Sequence, residues 1–318
     1  MHTKMNLSDS CLYEALQIRY VKLHFTILFP EASSLPVNKV SALRGGMGEM
    51  LLRANCVRDR QCEICDFETE CIVHRTMYSK FEKKPAYITN HESIGYVLEC
   101  ENYRTDFPAG STLDFNLILF GKTIVYLNQY LQALYALGMN GLGAEHAIFQ
   151  ILSMTNTRKQ DIIIGSNVYM KKYVVQHISD YVEYRMTQLK KYGLKGRLVF
   201  KTPLCLKYQN EFLQEFQMDA IINAIKRRIH MLDFFEGMEN DFYHGYQVSV
   251  PEIRAQEHRF VKIKRYSSRK DSHMFLKGIE GFAELTEIPM ETLPLLLAGE
   301  LIHIGKNTSF GFGRYQVW

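Results

Sequence analysis

Near the end of the chain, in the run LIHIGKNTSFGFGRYQV, a histidine, a lysine and three glycines fall close together: His303, Gly305, Lys306, Gly311 and Gly313. Histidine is the side chain best able to exchange a proton near neutrality. Glycines let a loop turn with positive φ and approach a ligand closely, and successive N–H groups in such a loop make an anion nest. Lys306 adds a full charge, and Arg314 follows the last glycine. Together these residues suit phosphate binding coupled to proton transfer. The plainer reading is a tight helix-to-strand turn, with His303 favouring helix carbonyls.

A second group lies upstream. The segment Arg265–Arg269, RYSSR, places two guanidiniums four residues apart with hydroxyls at Tyr266, Ser267 and Ser268 between them, and Lys264 and Lys270 flank it. On a strand, Arg265, Ser267 and Arg269 share one face. Arginine forks suit phosphate, and tyrosine can stack on a base or hold a proton. Between Arg254 and Lys277 there are eight Lys/Arg against two Asp/Glu, a local balance of +6, whereas the whole chain carries +4. Such a concentrated basic stripe is the footprint of a polyanion partner, and a solvated outer hairpin face is its alternative. Two further histidines stand in reserve: His24, with the strand parity of Lys22 and Thr26, and His258 in the stripe.

Four of the seven cysteines, Cys56, Cys62, Cys65 and Cys71, are crowded into a C-x5-C-x2-C-x5-C run. The central spacing favours tetrahedral zinc, though the outer ones are not those of a standard finger. Two readings stand, a structural zinc and a cluster of reduced thiols. A disulfide framework is not expected without a secretion signal. No apolar run approaches the length of a membrane span, so the sequence reads as soluble and cytoplasmic.

The elements that must position these residues repeat once. Ile18–Phe29 reads as a strand, Asn38–Arg53 as a helix, and Gly95–Glu99 and Thr112–Phe120 as two strands. Ile124–Leu137 is a second helix, closed by Gly138, and a strand at His146–Leu152 follows GMNGLG. In the second half, Arg197–Tyr208 is a strand that Pro203 should place at an edge or a bulge. Then come the helix Gln214–Phe235, the strands Phe260–Tyr266 and Phe275–Leu285, the helix Met290–Leu301 and the strand Arg314–Trp318. Both halves run β-α-β-β-α-β. The fold class is therefore α+β with tandem ferredoxin-like domains. The expected boundaries are 1–152 (with the cysteine insertion 56–71), 153–196 as an inserted element, and 197–318.

The glycine-rich C-terminus closely resembles the signature of the RAMP superfamily, the repeat-associated RNA-binding proteins of CRISPR systems. RYSSR resembles a motif of one branch, the CRISPR-associated endoribonucleases that process precursor crRNA, the sixth in the usual naming. LRGGMGEMLLR, CEICDFETEC, GLG and FKTPLCLKY are similar to further stretches of that branch, in the same order. The resemblance covers nearly all of the chain outside 153–196. It implies recognition of CRISPR repeat RNA and cleavage by attack of a ribose 2′-hydroxyl on the adjacent phosphate, with no catalytic cofactor. It also places a histidine at His303. Glu49 stands where some relatives carry a histidine, which removes a base from that helix.

The expected function is a metal-independent endoribonuclease acting on precursor crRNA, alone or within a CRISPR effector complex. A RAMP-family protein that only holds the repeat is the runner-up. The expected catalytic residues are His303, Tyr266 and Lys306. RNA contacts are expected from Arg44, Lys264, Arg265, Ser267, Arg269, Lys270, Gly305, Gly311, Gly313 and Arg314. A zinc hydrolase is disfavoured, because four cysteine ligands leave no open coordination position.

Overall fold

The structure, a computed structural model, describes residues 7–78, 93–165, 167–238, 242–267 and 272–318. The chain forms two compact units.

The N-terminal unit comprises Tyr20–Val175 and the short piece Tyr266–Ser272. Its sheet runs Tyr96–Glu99, Ser111–Phe120, Arg19–Phe29, Gln150–Thr155, Asp161–Ile164, Asn167–Val168. The first four strands hold the ferredoxin-like order, numbered by sequence as 2-3-1-4. Alternation along Arg19–Phe29 sends Val21, Leu23, Phe25, Ile27 and Phe29 to the core face. Phe25 lies opposite Phe115 in register, and their rings stack at 5.0 Å. The helices Lys39–Asn55 and Leu127–Asn140 cover this face. Asn38 caps the first by accepting a bond from the Ser41 N–H at 2.9 Å.

Of the glycines of the first helix, Gly46 serves helix-on-helix packing, whereas a Cβ on Gly45 would meet open space. A Cβ on Gly46 would stand 2.4 Å from Leu137 of the second helix. Gly138, expected as a C-cap, is instead inside the second helix, where a Cβ would meet the Phe149 carbonyl at 2.5 Å. The cap is Gly141, with φ +90°.

The C-terminal unit comprises Gln176–Arg265 and His273–Trp318, with the N-terminal helix Leu7–Ala15. Its sheet order is Ile253–Ser267, Ser272–Leu285, Arg197–Leu204, Tyr315–Val317, again 2-3-1-4. The identical order in both units makes the duplication explicit. Arg197–Leu204 is a central strand, so Pro203 marks a bulge and not an edge, and the register shifts between Phe200 and Leu204. The helices Met218–Glu236 and Leu293–Ile302 supply much of the core.

Residues 153–196 do not form a separate element. Residues 153–164 extend the N-terminal sheet, whereas the helix Ile178–Tyr192 packs on Leu293–Ile302 in the C-terminal unit.

Candidate nucleic-acid interface and glycine loop

Helix Leu293–Ile302 ends at His303, whose φ of +57° turns the chain into the glycine loop. The loop folds back on the bulged strand. The N–H of Ile304 donates to Gly313, that of Lys306 to Cys205 at 2.7 Å, and that of Gly313 to Pro203 at 2.9 Å. Those of Phe310, Gly311 and Phe312 turn inward to Asn307 and Thr308. The expected anion nest is therefore not built from these amides, because carbonyls of the same unit already occupy them. Thr202 locks the arrangement: its hydroxyl donates to the Gly311 carbonyl at 2.7 Å and accepts from the Arg314 N–H at 3.0 Å.

The loop glycines are steric necessities. A Cβ on Gly313, at φ +69°, would lie 1.8 Å from the Ile304 carbonyl oxygen, and one on Gly305, at φ +82°, 2.6 Å from that of Cys205. Gly311 and Gly313 are buried, so they shape the loop without presenting backbone to a ligand. Gly313→Val should therefore lower the stability of this unit by more than the ~1–3 kcal/mol of a strained φ alone. The denaturation midpoint measures this, and an unchanged midpoint would overturn the reading of the loop.

His303, expected as the acid or base, is fully buried, with Nδ1 3.1 Å from the Phe312 carbonyl. A ring with no accessible surface does not meet a phosphate at the surface, and this corrects the expectation. The same letters H-x-G-K describe an exposed histidine and an enclosed one, and only the loop's fold-back distinguishes them. Lys306, by contrast, is exposed, its Nζ 5.6 Å from the Phe212 ring centroid. Gly305 and Arg314 are partly exposed beside it.

The basic stripe resolves into two faces of the hairpin Ile253–Ser267/Ser272–Leu285. On the inner face, Ile263 and Leu276 pack with Cys205, Phe310 and Phe312. Arg265 lies there too, its guanidinium 4.6 Å from the Phe310 ring centroid and its Nη2 3.5 Å from the Met274 sulfur. It contributes to packing as well as charge, unlike the outward-facing phosphate ligand expected. On the outer face, Phe260, Lys262, Lys264, Phe275 and Lys277 are exposed. The count of +6 omitted two cross-strand partners: Glu284 pairs with Arg254 at 3.0 Å and Glu280 with Arg259 at 2.5 Å. Arg269 and Lys270 lie outside the described residues, as do the side chains of Tyr266 and Ser267.

In the N-terminal unit, Arg44 is half-buried and its Nη2 donates to Ser93 Oγ at 2.9 Å. Glu49 is held by Arg53 at 2.8 Å and Arg60 at 2.6 Å. Burial raises its pKa, but those bonds outweigh burial and hold the carboxyl below its ordinary value. The four cysteines are half-buried. Cys56 and Cys71 sit at helix ends, and Cys62 begins a short turn that Cys65 closes. Among the described residues no three His, Cys, Asp or Glu are placed to hold a metal ion. Ion pairs cross the segment: Glu49 with Arg60, and Arg58 with Asp66 at 2.9 Å.

The outer face of the N-terminal sheet carries a polar row. Glu99, Asn116 and His24 lie opposite one another on three adjacent strands. Glu99, almost fully buried, accepts from Lys22 at 2.8 Å and from Asn116 Nδ2 at 2.8 Å. The Asn116 amide oxygen is thereby turned to His24 Nδ1, 2.9 Å away. An oxygen there requires the proton on Nδ1, which leaves Nε2 as the exchanging nitrogen. Nε2 lies 3.5 Å from Asp114, itself bonded by Thr26 at 2.7 Å, and the His24 side chain is 46% exposed. The strand parity of Lys22, His24 and Thr26 was the signal in the sequence. The partners were not legible.

The two units are both ferredoxin-like, and the second carries the glycine loop before its last strand. Residues 16–180, just over half of the chain, match the family profile AF_1859_N, an N-terminal domain. Residues 198–315 match that of the CRISPR-associated endoribonuclease Cas6. The chain thus belongs to the family that the AF_1859_N profile describes. An uncharacterized protein of Archaeoglobus fulgidus is 25% identical over 309 residues, covering 95% of this chain and 99% of that one. Among solved structures, a partial Cas6-RT-Cas1–Cas2 complex is 11% identical with a TM-score of 0.56 over 95% of this chain. This chain spans only 46% of that protein, and 29% of the one in a Cas6-RT-Cas1–Cas2 complex of the same TM-score and identity. Among the described residues no helix is long and apolar enough to cross a membrane.

Proposed function

We propose that this protein is a cytoplasmic endoribonuclease that binds CRISPR repeat RNA and cuts it into crRNAs without a metal ion. The observation that carries the reading is the Cas6 pattern over residues 198–315, borne by a unit whose hairpin presents Lys262, Lys264 and Lys277 outward. In the proposed reaction the ribose 2′-oxygen loses its proton and attacks the adjacent phosphorus. The bond to the 5′-oxygen breaks as that oxygen is protonated, leaving a 2′,3′-cyclic phosphate and a 5′-hydroxyl. Among the histidines weighed, His24 is the one whose geometry suits proton exchange. Its Nδ1–H is held by Asn116, and Nε2 lies 3.5 Å from Asp114 on an accessible face. His303 is assigned to positioning the glycine loop. Lys306 and Tyr266 remain candidates for stabilising the phosphorane and supplying a proton.

A labelled repeat RNA incubated with the pure protein in EDTA tests the proposal. Product ending in a cyclic phosphate is expected at the same rate as in Mg²⁺. Binding without product would replace the reading with the repeat-binding protein, and cleavage abolished by EDTA would replace the chemistry. The solved Cas6-RT-Cas1–Cas2 assemblies contain this fold within larger complexes, and association of this chain with other CRISPR proteins belongs to the same reading.

A further inference from the structure

The outer hairpin face carries two phenylalanines that folding does not bury. Phe260 is 54% exposed and Phe275 48%. Alternation puts Phe260, Lys262 and Lys264 on one side of their strand. Lys262 Nζ stands 4.0 Å from the Phe275 ring centroid, so Phe275 and its alternate neighbour Lys277 share that side. The opposite side is committed to the core through Ile263 and Leu276.

The same hairpin neutralises cations elsewhere, pairing Arg254 with Glu284 and Arg259 with Glu280. Among the described residues Lys262, Lys264 and Lys277 make no ion pair with a carboxylate, and Lys262 is instead laid over an aromatic ring. Exposed rings interleaved with uncompensated lysines are what a single-stranded nucleic acid needs: π-faces for bases and charges for the phosphates between them. Lys262 and Lys264 are about 7 Å apart along the strand, close to the step between successive phosphates of an extended chain. A duplex offers no free base face except at its ends.

We infer that this face is a stacking platform for unpaired nucleotides of the RNA, with one base on Phe260, one on Phe275, and backbone phosphates on Lys262, Lys264 and Lys277. The inference rests on the RNA reading above and deepens it, from RNA in general to a single-stranded segment.

The full chain is titrated with a short single-stranded oligoribonucleotide carrying 2-aminopurine, and with a blunt RNA duplex of equal length. Wild type should change the 2-aminopurine fluorescence on binding. Phe260→Ala and Phe275→Ala should each weaken single-strand affinity by about 5- to 150-fold, with much less effect on the duplex. Phe260→Tyr and Phe275→Tyr retain a ring and should retain the affinity, and an unchanged far-UV circular dichroism spectrum confirms that the alanine variants fold. Lys262→Gln should lessen the salt dependence of binding. If wild type binds neither RNA, the functional reading itself is wrong. If wild type binds and the alanine variants bind equally well, or lose duplex and single strand alike, the stacking platform is wrong while RNA binding stands.

Discussion

His24→Ala should reduce single-turnover cleavage of the repeat by a factor of about 10²–10⁴ while leaving its affinity nearly intact. The expectation follows from the order of the polar row. Lys22 and Asn116 fix the buried Glu99 carboxylate, Glu99 orients the Asn116 amide, and Asn116 holds the proton on His24 Nδ1. Asp114 then faces Nε2 at 3.5 Å. Asn116→Leu removes the orienting bond but not the imidazole, so it should cost less than His24→Ala and affect kcat more than KM. Added imidazole should partly restore His24→Ala and do nothing for Asn116→Leu. Normal cleavage by His24→Ala would remove this histidine from the chemistry. Parallel loss of binding and cutting would make the row a contact surface.

The ferredoxin-like order was legible because each element carries its own period. Leu113, Phe115, Leu117 and Leu119 alternate on Ser111–Phe120, and Val40, Leu43, Met47 and Met50 recur at helical spacing on Lys39–Asn55. Hairpins and helices set by local pattern need no distant partner to be read. What failed to read depends on residues far apart in the chain. The charge window that gave +6 stopped short of Glu280 and Glu284, which the second strand of the hairpin brings opposite Arg259 and Arg254. His303 was read as reactive because its neighbours in sequence are glycines and a lysine. Its ring instead bonds the Phe312 carbonyl nine residues on and is fully buried. The cysteine spacing left zinc and reduced thiols both open, because spacing carries no direction for the side chains. Helix ends took Cys56 and Cys71. Segment 153–196 defied placement because its two ends belong to different units, each joined through pairs that only the folded chain creates.

One of those pairs carries the other large effect. Glu300, in the helix Leu293–Ile302, is almost fully buried, with its side chain 2% exposed. It accepts from Arg185 Nε at 2.7 Å and Nη2 at 3.1 Å, from the Tyr181 hydroxyl at 2.9 Å, and from the Val317 N–H at 2.6 Å. Arg185 also donates to the Val317 carbonyl at 2.8 Å. A single carboxylate thus joins the helix Ile178–Tyr192, the helix Leu293–Ile302 and the last strand. Burial disfavours the charge on Arg185, but the Glu300 bonds outweigh it and raise the pKa of the guanidinium. Glu300→Ala leaves that guanidinium enclosed without its counter-ion, and removes the carboxylate that accepts from the Val317 N–H and the Tyr181 hydroxyl. The loss should be about 3–5 kcal/mol. Replacing both charges with apolar residues of similar volume, Arg185→Met with Glu300→Leu, should cost far less, because desolvation of the pair is no longer required. The chain's only tryptophan, Trp318, follows the last strand, so its fluorescence during urea unfolding reports on this unit directly. A Glu300→Ala midpoint equal to wild type would mean that water solvates Arg185 in place of the carboxylate. A double variant as unstable as Glu300→Ala would mean that the bonds to Val317 and Tyr181, and not the charge, hold the segment in place.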